Sequence, residues 1–163
     1  MAHPDGVDRI IDQWRTERSD LVDTTAMAIF GRTHRLSRLA GDTTERIYAE
    51  FGIGRPEFDV LATLRRSGEP FELSPGALAA SMMLSTGGTT ARLDRLEKAG
   101  LADRFPSPTD RRGVLVRLTP KGREVVDAAL GAGLAEQQRL LAHLSPAKQR
   151  QLADLLREAL AAD

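Results

Sequence analysis

The stretch from Ser74 to Leu118 constrains the chain more than any other. Ser74-Pro75 places a capping hydroxyl before a proline at the first helical position, a strong helix start, and the helix it opens is short, ending near Met82. A turn through Met83-Leu84 leads to Ser85, a second cap, and a longer helix from Thr86 to Ala99 that Gly100 terminates. Two turns of helix, a tight turn and a longer helix in immediate succession follow the pattern of a helix-turn-helix. After Gly100 the periodicity changes from helical to extended. Leu101 to Phe105 and Val114 to Leu118 read as strands, the second rich in β-branched and apolar residues. Between them Pro106 to Gly113 form a loop with two prolines, a glycine and the adjacent Arg111 and Arg112. A hairpin with a basic tip directly after a helix-turn-helix is a wing.

The flanks are helical. Val7, Ile10, Ile11 and Trp14 recur at i, i+3, i+4 and i+7 and predict a first helix from about Gly6 to Arg18, with Asp5 as its cap. After the polar break at Ser19-Asp20 a long helix runs from roughly Thr24 to Phe51 and stops at Gly52 and Gly54. Pro56 opens a third, with Phe58, Val60, Leu61 and Leu64 on its apolar side and Ser67-Gly68 at its end; Pro70 to Leu73 is a short extended piece. Thr119-Pro120 opens a long helix to about His143, and Ser145-Pro146 a last one to about Ala161, striped by Leu152, Leu155, Leu156 and Leu160. The expected class is therefore α+β and mostly helical. Its organisation is 1–52 as an extra helix plus a dimerisation helix, 53–119 as the winged helix-turn-helix, and 120–163 as C-terminal dimerisation helices.

Charge supports a nucleic-acid partner in spite of a formal net charge of zero. From Ser85 to Arg123 nine Lys/Arg face four acids (Asp94, Glu97, Asp103 and Asp110), so this segment is +5 and the remainder −5. A basic surface on an acidic body is what phosphate binding requires. The chain has no cysteine, which excludes disulfides, thiolate metal sites and thiol redox sensing. Its three histidines, His3, His34 and His143, share no metal-binding spacing, and His34 fits a dimer helix. Phosphate loops, dinucleotide fingerprints and nucleophile elbows are missing, so no enzyme and no cofactor is expected. The N-terminus does not follow the signal-peptide pattern and no apolar run reaches bilayer length, which suits the cytoplasm and no membrane partner.

Three further blocks carry a family resemblance: Leu93-Asp94-Arg95-Leu96-Glu97-Lys98-Ala99-Gly100-Leu101, Asp110-Arg111-Arg112, and Leu118-Thr119-Pro120-Lys121-Gly122. At this spacing they resemble the signature of the MarR regulators, from about residue 24 to the C-terminus. The resemblance implies a winged helix-turn-helix homodimer with interleaved terminal helices. It also implies binding to pseudo-palindromic operators in double-stranded DNA, usually as a repressor released by a small ligand.

The expected DNA-contacting residues are Ser85, Thr86, Gly87, Thr89 and Thr90 on the recognition helix, with Gly88 among them. Small polar residues there let the backbone approach the major groove and bring hydroxyls to base edges. Two helical glycines cost roughly 1 kcal/mol each, which favours close approach over mere relief of crowding. Arg95 is expected on phosphate. Arg112 is the minor-groove candidate at the wing tip beside Arg111, oriented through Asp110 as the family resemblance implies.

Arg92 sits where most family members are apolar, and Asp59 lies between Phe58 and Val60. Both are expected near the buried side, where an acid and an arginine need each other. With Trp14 they resemble the tryptophan–aspartate–arginine constellation of the family's urate-responsive branch. In that branch an anionic heterocycle stacks on the tryptophan, pairs with the arginine and repels the aspartate. The same three residues admit a plain structural reading: Trp14 completes an apolar stripe, and Asp59 and Arg92 form an ion pair. A winged-helix protein-interaction module and a ligand-independent DNA-binding protein are the remaining alternatives.

Overall fold

In the computed structural model, residues 3–82, 86–108, 110 and 113–161 are described, the side chains at 86 and 87 excepted. The element order is α1 (Gly6–Glu17), α2 (Thr25–Glu50), α3 (Arg55–Arg66), β1 (Glu72–Leu73), α4 (Pro75–Ser81), α5 (Thr86–Lys98), β2 (Ala102–Pro106), β3 (Val114–Leu118), α6 (Pro120–Leu140) and α7 (Pro146–Leu160). The chain divides into two compact units, 1–42 and 43–163, the boundary falling within α2.

The smaller unit holds α1 and the first part of α2. Asp5 caps α1 by accepting from the amides of Val7 (2.7 Å) and Asp8 (3.0 Å), while the Asp8 carboxylate accepts from the Asp5 amide (2.8 Å). This reciprocal box satisfies donors that a helix start leaves orphaned. Arg32 of α2 then donates to both carboxylates, to Asp5 at 3.0 Å and Asp8 at 2.6 Å. Of the expected apolar stripe only Val7 and Ile11 are buried; Ile10 and Trp14 are about half exposed, Trp14 at 48%.

The larger unit is the mostly helical α+β winged helix-turn-helix. Its three-stranded antiparallel sheet has the order β1-β3-β2. The β2–β3 hairpin is in register from Ala102 opposite Leu118 to Pro106 opposite Val114. The expected extended piece before α4 contributes the third strand by pairing Glu72 with Arg117 and Leu73 with Val116. One core joins these elements: Leu61 and Leu64 of α3, Leu78 of α4, Leu93 and Leu96 of α5, Val116 and Leu118 of β3, and Val126 of α6, all at most 5% exposed. Truncating any of these leucines to alanine in such a core costs about 2–5 kcal/mol.

Serine and threonine caps start the helices where the sequence places them. Ser74, Thr119 and Ser145 accept from the amides of Ala77, Gly122 and Lys148, each followed by a proline in the first turn. The first strand of the wing begins one residue later than expected, because Leu101 still closes the end of α5. Gly100 adopts φ +69°, where a side chain is disfavoured, and the Leu101 amide donates back to the Leu96 carbonyl at 2.9 Å. None of the described residues of α7 is buried, and its Leu155 and Leu160 are more than half exposed. No helix among the described residues is long and apolar enough to cross a membrane.

Candidate nucleic-acid interface

The packing of α5 decides which of its side chains a groove can meet. Thr89, Leu93 and Leu96, at i, i+4 and i+7, face the core. Gly88, Thr90, Ala91, Asp94, Arg95 and Lys98 are exposed. Thr89 is 1% exposed, so it does not present its hydroxyl to a base edge as its residue type suggested. The reason is helical phase: the buried leucines four and seven residues on carry Thr89 inward with them. Thr90 stands exposed one residue later. Thr86 and Gly87 open the helix backbone, while Ser85 lies outside the described residues.

Arg95 is exposed over more than half of its side chain, but it is not a free cation. Its Nε donates to Glu57 Oε1 at 2.6 Å. Glu57 is only 14% exposed and with its other oxygen accepts from the Gly54 amide (3.2 Å), so it closes the start of α3 at the same time. A phosphate reached by Arg95 therefore competes with, or joins, this carboxylate.

Nothing in the sequence reading singled out Arg104 of β2. Its guanidinium donates to Asp94 Oδ1 (2.6 Å), Glu97 Oε2 (2.9 Å) and the Thr90 carbonyl (3.2 Å), and its amide to Glu97 Oε1 (3.3 Å). A readable signal existed: an arginine early in a strand directly after a helix whose acids are three residues apart.

The end of α5 is held by the residues that begin α6. The Thr119 hydroxyl donates to the Gly100 carbonyl at 2.9 Å, and Lys121 Nζ donates to the Ala99 carbonyl at 3.0 Å. Gly122 lies so close to Leu101 that a Cβ there would meet its carbonyl oxygen at 1.9 Å. The block that reads as a helix start is thus also a clasp on the C-terminus of α5, where carbonyls without helical partners need donors.

At the base of the wing the Ser107 amide donates to the Gly113 carbonyl (2.8 Å) and the Gly113 amide to the Asp110 carbonyl (2.9 Å). Asp110 is exposed. Arg111 and Arg112, the expected minor-groove contacts, lie outside the described residues. Along the hairpin Arg117 lies over the Phe105 ring at 4.4 Å and pairs with Glu72.

Asp59 and Arg92 line one open cleft of about 550 Å³ between α3, α4 and α5, together with Phe58, Thr63, Met82 and Leu130. They do not form the expected pair. The Asp59 carboxylate instead accepts from Arg55 Nε at 3.1 Å, a partner one turn earlier on its own helix and reached without crossing the cleft. No hydrogen bond or ion pair joins the Arg92 side chain to another of the described residues. Behind the cleft the Phe58 ring stacks on Tyr48 at 4.0 Å, and burial pushes the Tyr48 phenol above its usual range. Trp14 belongs to the other compact unit. Among the described residues no group of three or more histidines and acids is placed to hold a metal ion.

Known proteins share this fold. A family described as the MarR family matches residues 51–113, from the end of α2 to the wing. The chain is 35% identical over 156 residues to the HTH-type transcriptional regulator PecS of Dickeya dadantii, covering 96% of this chain and 93% of that protein. It is 31% identical over 134 residues to the HTH-type transcriptional regulator YkoM of Bacillus subtilis, covering 82% and 85%. Among solved structures, a mutant MarR from Escherichia coli complexed with operator DNA superposes with a TM-score of 0.72 at 25% identity, over 85% of this chain and 98% of that one. A regulator from Streptomyces coelicolor in complex with DNA shares the fold at a TM-score of 0.75 and 20% identity, over 86% and 89%.

Proposed function

The chain belongs to the MarR family of DNA-binding transcriptional regulators, whose members are not enzymes, and from that premise we propose that it is a homodimeric repressor released from a pseudo-palindromic operator by a small planar anion. DNA is read by the exposed face of α5, through the backbone at Thr86 and Gly87 and the side chain of Thr90, together with Ser85, which precedes them in the sequence. The wing adds Arg111 and Arg112, with Asp110 beside them, and Arg95 serves phosphate. Homodimer formation accounts for the apolar residues that a single copy leaves open on α2, α6 and α7, among them Phe30, Leu134 and Leu160.

One observation carries the ligand reading: Asp59 and Arg92 face one cleft, and among the described residues no carboxylate pairs with the Arg92 side chain. An anion entering the cleft would pair with Arg92 and be repelled by Asp59. The cleft adjoins α5, so any displacement of Arg92 acts on the recognition helix itself. The resemblance to the urate-responsive branch makes urate the first compound to try.

Two measurements test this reading. Wild-type protein is used to select duplexes from a random library, and the selected duplex is titrated over a range of salt. Arg112→Ala should weaken binding and lower the salt slope by about one, and an unchanged slope would remove Arg112 from the interface. The protein is then titrated with urate and related purines, following the fluorescence of Trp14, the one tryptophan in the sequence. Saturable quenching, duplex release and loss of both in Arg92→Leu support the effector site. Absence of any purine response returns Asp59 and Arg92 to structural duty.

A further inference from the structure

The acceptors that Arg104 reaches on α5 are residues 90, 94 and 97, spaced i, i+4 and i+7. They therefore form one straight stripe over two helical turns. That stripe runs directly beside the buried stripe of Thr89, Leu93 and Leu96. Arg104 belongs to β2, an edge strand of the sheet, and its backbone amide points away from β3 to Glu97. One residue of the wing thus engages the recognition helix through both its guanidinium fork and its main chain. With 26% of its side chain exposed, Arg104 is the least exposed arginine among the ion pairs of the described residues.

Asp94 and Glu97 are the only acids of α5. Both stand on its outer half, 59% and 40% exposed, where a phosphate backbone would be repelled by them. The guanidinium lies between the two and engages both carboxylates. A planar fork with several donors suits this; a lysine ammonium, a point charge, would not hold three divergent acceptors in one geometry.

We propose that Arg104 is a positioning residue for DNA reading, which latches the wing to the recognition helix through Asp94, Glu97 and the Thr90 carbonyl and masks the two carboxylates of α5. The inference rests on the reading of α5 and the wing as the DNA-contacting elements. Helix and wing address neighbouring grooves, so the angle between them fixes which base pairs each meets at once. Arg104 sets that angle without touching a base. Its loss frees the wing to take several angles and uncovers two negative charges. Discrimination between sequences then falls more than total binding does, because phosphate contacts are shared by all sequences and base contacts are not.

The test compares full-length wild type, Arg104→Gln, the pair Asp94→Asn with Glu97→Gln, and all three changes together. Each is titrated against the duplex selected by wild type and against a scrambled duplex of the same composition. Arg104→Gln should lower the ratio of the two affinities about tenfold, the size of one lost base contact. The triple variant should be no worse than Arg104→Gln alone, because both sets of changes open the same latch. Losses that multiply, or an unchanged ratio in Arg104→Gln, would overturn the proposal. Thermal unfolding checks that each variant folds. If Arg104→Gln does not, Arg104→Lys keeps the charge without the fork and should lose an intermediate part of the ratio; full retention of the ratio by lysine would also overturn the latch. Amide exchange in the free protein is the second readout, and residues 88–98 should exchange faster in Arg104→Gln. A wild type that prefers no duplex would refute the DNA reading, while unchanged exchange would refute the latch.

Discussion

Gly122 and Leu101 approach so closely that a methyl group on the first would lie 1.9 Å from the carbonyl oxygen of the second. The contact brings the start of α6 against the turn that ends the recognition helix, beside the bonds that Thr119 and Lys121 make to Gly100 and Ala99. The neighbour is backbone, which cannot swing aside as a flexible side chain could.

Gly122→Ala should accordingly destabilise the larger unit by about 1–3 kcal/mol, the usual range for overpacking, and towards its upper end. Urea unfolding measures it. A midpoint within error of wild type would mean that the turn yields freely.

Thr89 and Thr90 are adjacent, yet substitution should separate stability from recognition. Thr89→Ala removes a buried side chain and should lower stability by about 1–2 kcal/mol, leaving the selected sequence unchanged. Thr90→Ala should leave stability within about 0.5 kcal/mol and alter the base preference in a random-library selection. The opposite assignment of the two effects would show that α5 turns about its axis on DNA.

At the N-terminus, Asp5 and Asp8 hold their carboxyls below the ordinary aspartate range. Each does so chiefly through the backbone amide of the other, and Arg32 lowers both further. A depressed folded pKa contributes stability above the unfolded value, and that stability is lost as pH falls through the folded one. Amides of Gly6–Glu17 should therefore lose exchange protection on acidification below the ordinary aspartate pKa, earlier in Arg32→Ala than in wild type. Equal profiles in the two proteins would remove Arg32 from the account.

Deleting residues 146–163 should leave a monomer in sedimentation equilibrium and abolish tight operator binding, since no residue of α7 is fully buried in a single copy. A stable dimer after deletion would move the main contact to the other open apolar residues.

Much of this architecture is legible in the sequence because helix starts are local events. Ser74-Pro75, Thr119-Pro120 and Ser145-Pro146 each combine a cap with a preset backbone angle, and each opens a helix where expected. The wing is equally legible from its change of period. What the sequence conceals depends on helical phase and on competition between partners. Thr89 looks like a groove-facing hydroxyl until the packing of Leu93 and Leu96 turns it inward. Asp59 looks like a partner for Arg92, but Arg55 stands one turn away on the same helix. Arg104 reads as one more cation of a basic segment until its place early in the strand, directly after a helix with acids three residues apart, is set against its pairs with Asp94 and Glu97.

The alternation of α5 between an inward and an outward face also bears on how such a protein diversifies. Changes at Thr89, Leu93 or Leu96 alter the fold before they alter any preference for DNA. Changes at Thr90 and Ala91 disturb no buried side chain. A duplicated copy could therefore drift to a new operator by substitution at a few outward positions, while its inherited scaffold stayed intact.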